Sequence, residues 1–216
     1  MASNEQRLQT PRAAGVVGIA FALLTTAAIV LVRVALPEGA EADTSRDPSQ
    51  QEALRTALGL VPFAGIFFLW FMGALRSQAG EREDRFIATV FLGSGLLFVA
   101  TLFGAAAAAG SVLDTAGAGT GQPPGGFGEH FAYTLMTTYS MRMAAVFAFT
   151  TSAIGHRLGF FPRPLTVLGY LVGLTLLFLG PSIPWSELVF PCWSLIVSVH
   201  ILRAGFRSRP SPLGVT

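Results

Sequence analysis

Lysine is absent from this chain and cysteine nearly so. All fourteen basic residues are arginine, which reads first as a GC-rich codon habit and only second as a recognition device. The single cysteine, Cys192, excludes an internal disulfide and CxxC chemistry. Charge of either sign is scarce, at 12% of residues against about 25% in soluble domains. The net charge of +2 comes from arginines beside apolar runs and argues against a nucleic-acid partner. No HExxH, no GxSxG and no carboxylate pair within an apolar run occurs. That disfavours a metallohydrolase or an activated-serine hydrolase.

Long hydrophobic runs fill the space that charge leaves. Six of them predict an all-α fold, a polytopic transmembrane helical bundle with spans at 13–34, 55–75, 86–113, 131–154, 164–180 and 185–203. A helix needs ~17–25 apolar residues to cross a bilayer, and the fifth run is the shortest. The tails are 1–12 and 204–216. The spans and their loops use nearly all of the 216 residues, leaving no room for a soluble domain. Arg7 and Arg12 precede the first run, but its apolar core of ~20 residues exceeds the ~7–15 of a signal peptide, so a retained span is expected.

Arginine placement predicts the orientation. Ten arginines (7, 12, 76, 82, 85, 157, 163, 203, 207 and 209) share one side of a six-span layout, and only Arg33, Arg46 and Arg55 take the other. The positive-inside rule then puts both termini in the cytoplasm. The outer loop 37–52 is polar and acidic, and the outer loop 114–129 is rich in glycine and proline. Both compositions predict mobile segments. The last outer turn, 181–184, is short and predicts a helical hairpin of the last two spans. The inner loop RSQAGEREDR carries six charges, with Glu81 and Arg85 spaced for a short surface helix. It reads as a solvated face, with a docking site for a cytoplasmic partner as the alternative. GAGTG at Gly117 lacks the lysine and the preceding strand of a phosphate loop.

VPFAGIFFLWFMGALR from Val61, GEREDRFIATVFLGSGLLF from Gly80, YSMRMAAVFAFTTSA from Tyr139 and LVFPCWSLIVSVHIL from Leu188 resemble a family of small actinobacterial integral membrane proteins without an assigned activity. The resemblance covers most of the chain after the first outer loop. It implies a six-helix layout and a bacterial plasma membrane location, and it transfers no catalytic residues.

Arg142 lies near the middle of the fourth run, where a charge costs about 2.5–3.5 kcal/mol on insertion scales. On an α-helix, Thr138, Tyr139, Arg142 and Ala145 share a face, which should point into the bundle. Arg142 then reads either as an anion, substrate or relay site or as a structural cation bonded to carbonyls, hydroxyls and one carboxylate. Glu187, the only acid close to an apolar interior, is the expected partner, or else a first-turn residue complementing its helix dipole. The depths differ by about 10–15 Å at the helical rise, a gap that tilt and two long side chains would have to close. The polar site candidates are therefore Arg142, Glu187, Thr138 and Tyr139.

His156 and His200 fall at similar depth near inner span ends, with His130 alone at the outer end. Two histidines suggest haem or metal only weakly without a third ligand, and a polar interface is the plainer reading. Gly169 and Gly173 form a GxxxG, and Ala100, Gly104 and Ala108 a small stripe, both expected to serve packing within the chain rather than a dimer. Pro62 and Pro191 should kink their helices, Pro191 near Glu187 and Leu188.

The expected function is therefore that of a multi-pass plasma membrane protein without catalytic, cofactor or metal residues. It would be transport-related or accessory to a membrane complex, with the lipid bilayer, a second copy or another membrane protein as partner. The alternatives are a membrane-embedded enzyme acting on lipid or quinone, and a haem-binding electron carrier.

Overall fold

The computed structural model describes residues 2–35, 48–79, 85–117, 127–179, 183 and 185–207. The described residues are helical, without strands. The helices are α1 (Ala2–Ala35), α2 (Pro48–Ala79), α3 (Arg85–Gly117), α4 (Phe127–Thr134), α5 (Met141–Arg157), α6 (Arg163–Leu174) and α7 (Val189–Arg207). A π-helical segment, Leu135–Ser140, joins α4 to α5 as one rod. A second π segment, Thr175–Leu179, prolongs α6. A 3₁₀ turn, Ser186–Leu188, leads into α7.

The chain thus forms six helical rods. Four contain stretches long and apolar enough to cross a membrane: Ala13–Val34, Pro48–Gln78, Arg85–Leu113 and Ser186–Gly205. The α6 rod, Arg163–Leu179, is apolar but shorter. The α4–α5 rod is long enough, but Arg142 and its Thr, Tyr and Ser neighbours lower its hydropathy.

Several helices outrun the apolar runs. α1 begins within the expected 1–12 tail, α2 starts at Pro48 and α3 continues to Gly117. The ends of both outer loops are therefore helical. The expected mobility of their centres, the surface helix at Glu81 and most of the 181–184 turn lie outside the described residues.

Neighbouring rods run antiparallel. Gly15 abuts Leu202 while Arg33 meets Glu187, so α1 and α7 run in opposite directions. Gly18 touches Phe71, and Val32 packs near Leu54, which reverses α2 against α1. Gly95 faces Phe147 and Gly104 faces Leu135, reversing α5 and its π segment against α3. Gly155 faces Phe161 and Gly173 faces Phe149, reversing α6 against α5. The principal contacts run α1–α2–α3–α5–α6–α7 and back to α1, a closed up-and-down ring.

The middle of the ring is filled with aromatic rings. Phe68 is fully buried at the hub, with the rings of Phe21, Phe98 and Phe147 each 4.9 Å away and Phe190 at 6.1 Å. Five helices each contribute one of these rings, and each such pair adds roughly 0.5–1.5 kcal/mol beyond area burial. The outside of the ring is apolar too: Leu23, Phe63, Trp70, Leu97, Leu171 and Ile196 are exposed. Helices hydrophobic on every face suit a bilayer, not water.

The glycine pair on α6 packs within the chain, as expected. A Cβ on Gly169 would collide with Ser152, and one on Gly173 would lie 2.7 Å from the Phe149 ring. Pro62 stays inside an unbroken α2. Pro191 falls in the first turn of α7, where its missing N–H costs no helix bond. The disturbance expected around Glu187 is the 3₁₀ turn that begins the rod, not a kink in a running helix.

Candidate functional site

Glu187 is 5% exposed and bonded to Arg33. The Arg33 guanidinium donates from one Nη to both carboxylate oxygens, at 2.9 and 3.0 Å. Its Cζ also lies 5.7 Å from the ring of Trp185, within cation–π range. Trp185 adopts φ 64° and ψ 12°, a left-handed conformation that is an outlier for a bulky residue. The connection from α6 turns there and delivers Glu187 to the end of α1.

Arg142 does not meet Glu187. It is exposed on the outer surface of α5, without a hydrogen bond or ion pair to any described residue. Tyr139 is also exposed and Thr138 half-buried. Tyr139 and Arg142 do share a face, but it is the outward one, while Ala145 turns inward. The polar residues that turn inward are Thr137 and Ser140, with the Ser140 hydroxyl 2.9 Å from that of Thr101 on α3. Downstream, the small residues Ala144, Ala145 and Ala148 take the packed face, and the large guanidinium is left outside.

Beyond the aromatic hub, at the end where α1 and α3 finish and α2, α4 and α7 begin, lies a cavity of about 710 Å³. That falls within the roughly 300–1,000 Å³ of small-molecule sites. Phe98 and Phe190 of the hub form its floor. Its walls carry alanine where a larger residue would fill the space: Ala28, Ala57, Ala64, Ala105, Ala109 and Ala132 among them. The alanine run of α3 is thus a cavity wall. Met136 and Met141 reach the cavity from the π segment and the start of α5.

Few polar groups line it. Glu187 does, backed by Arg33, and His130 and Tyr133 lie on α4. Thr25 is 7% exposed, and its hydroxyl has no hydrogen-bond partner. Thr101, Thr137 and Thr150 bond back one turn, to Leu97, Tyr133 and Val146, whereas Thr151 on α5 is unpartnered like Thr25. Arg33, Thr25 and Trp185 escaped the sequence reading. The pairing of Arg33 with Glu187 was open to a depth argument, because in an up-and-down layout the end of the first rod and the start of the last share a level.

The histidines stay apart in role. His200 Nε2 donates to the Phe160 carbonyl at 3.3 Å in the tautomer protonated there, and His156 is exposed. Among the described residues no three His, Cys, Asp or Glu side chains gather as metal ligands. Comparison with protein-family models, with curated proteins and with solved structures gives no match.

Proposed function

We propose that this chain is a six-span bacterial plasma-membrane protein, both termini cytoplasmic, that acts without catalysis as an accessory subunit of a membrane complex. The observation that carries this reading is Arg142. It stands midway along the rod Phe127–Arg157, on the surface the rest of the protein leaves uncovered. A cation facing lipid at that depth costs about 2.5–3.5 kcal/mol. A carboxylate on another membrane helix would offset that cost; one carried by a second copy would make the complex a homo-oligomer.

The test is site-specific photo-crosslinking in cells from Tyr139 and Val146, beside Arg142 on the same rod. Adducts to one defined membrane protein, lost in Arg142→Met and kept in Arg142→Lys, support the reading. Adducts to lipid alone, unchanged by Arg142→Met, overturn it. A transport-related role is the second reading, and the large apolar cavity favours it.

A further inference from the structure

We propose that a groove between α6 and α7 holds an anionic phospholipid of the surrounding bilayer, its phosphate at Arg203 and one acyl chain laid along the groove. The inference rests on the membrane reading, not on the accessory role. The groove has a volume of about 540 Å³. Ile196 on its wall is 47% exposed, so it opens on the outer surface of the ring. Leu168 of α6 and Leu195, Ile196 and Val199 of α7 make the wall apolar. His200 and Arg203, three residues apart on one face of α7, make its polar end. The bond from His200 to the Phe160 carbonyl sets the start of α6 level with the end of α7. Pro162 and Pro164 line that end from the α6 side.

This arrangement has the polarity of a phospholipid. Leu195 and Ile196 stand at the middle of the apolar stretch Ser186–Gly205, and Arg203 stands near its end. From Arg203 to Leu195 the wall runs ~12 Å at the helical rise, from headgroup level toward the centre of the span. A phosphate at Arg203 therefore lays its hydrocarbon on Leu195 and Leu168. A helix, ~10–12 Å across, is too wide for a groove of this volume and length. A soluble anion would leave the apolar wall bare.

Charge selects the head. Arg203 is exposed and has no hydrogen bond or ion pair to any described residue. Arg163, between the two lining prolines, brings a second cation to that end. The acids whose side chains are described, Glu52 and Glu187, stand at the opposite end of the ring. Basic ends of interhelical grooves bind anionic lipid heads, whereas the cationic group of a zwitterionic lipid would meet the same arginines.

The experiment uses the full chain in phosphatidylcholine nanodiscs with a trace of a photoprobe. One probe is phosphatidylglycerol and the other phosphatidylcholine, each with the same mid-chain diazirine. Labelled peptides are mapped by mass spectrometry. Labelling of the α6 and α7 segments around Leu168 and Leu195 should be about tenfold stronger with the phosphatidylglycerol probe. Arg203→Gln should erase most of that difference, and Arg203→Lys should keep it. Val199→Trp, which fills the groove, should abolish labelling there by both probes, and Leu168→Trp replaces it if thermal unfolding shows a damaged fold. Excess inorganic phosphate should displace nothing. Equal labelling by the two probes, a preference that survives Arg203→Gln, labelling that survives the filled groove, or displacement by inorganic phosphate overturns the proposal. Carbonate extraction of native membranes tests the membrane reading separately: a chain stripped from them would fail that reading instead.

Discussion

At the scale of single residues, the Arg33–Glu187 ion pair joins the end of the first rod to the start of the last. The Arg33 side chain is 16% exposed and that of Glu187 6%, so water screens the pair weakly. Removing Arg33 strands the buried Glu187 carboxylate, at about 3 kcal/mol or more. Glu187→Gln and Arg33→Met should each lower the unfolding midpoint in detergent. The double variant Arg33→Met with Glu187→Gln should cost less than the sum of the singles, by roughly 0.5–3 kcal/mol. Arg142→Met should add to Glu187→Gln within about 0.5 kcal/mol. A larger coupling between those two would restore the pairing suggested by the sequence. Denaturant unfolding of the five variants, three single and two double, provides the comparison.

At the scale of elements, glycines set how closely the rods approach. Around Gly15 an added Cβ would lie 2.8 Å from Leu202 Cβ and 3.0 Å from the Ser198 carbonyl oxygen. Backbone cannot rotate aside, so Gly15→Ala must push α1 from α7 and should destabilise by about 1–3 kcal/mol. Gly73, on α2, has nothing within 4 Å of a built Cβ, and Gly73→Ala should be neutral or slightly stabilising, since Ala favours helix by up to about 1 kcal/mol. The contrast in unfolding free energy isolates the ring closure. A Gly15→Ala protein as stable as Gly73→Ala would mean that α1 and α7 do not pack this tightly. The existence of six rods was legible because long apolar runs separated by charged or glycine-rich breaks admit little else. The π segments were not: a wider turn leaves no compositional mark. The face of Arg142 was misjudged because the small residues Ala144, Ala145 and Ala148, not the charged one, take the packed side of α5.

At the scale of the whole molecule, the up-and-down ring sets the end of α1 beside the start of α7 and opposite the start of α1 and the end of α7. Topology labelling tests whether all six rods cross the bilayer. Cys192 is exposed, so the background is Cys192→Ser. Single cysteines at Ser49 and Thr120 should react with an impermeant maleimide from outside intact cells, and those at Ser77 and Ser208 should not. Labelling at Ser77 from outside would mean that one rod fails to cross. The short α6 rod and the Arg142-bearing rod are where such a failure would arise, since neither is among the four strongly apolar ones.

The chain by itself determined the helical class, the number of rods and the apolar outer surface, because each follows from the length and composition of local runs. It also placed Gly169 and Gly173 in a packed interface, since a missing Cβ has the same meaning wherever two helices touch. The partner of Glu187, the outward turn of Arg142 and the cavity were decided only by the tertiary structure. Each depends on the rotation of one rod about its axis, and a π segment or a left-handed Trp185 changes that rotation without changing hydropathy. The cavity arises where alanines of several rods face one another, a coincidence across the ring that no single segment records.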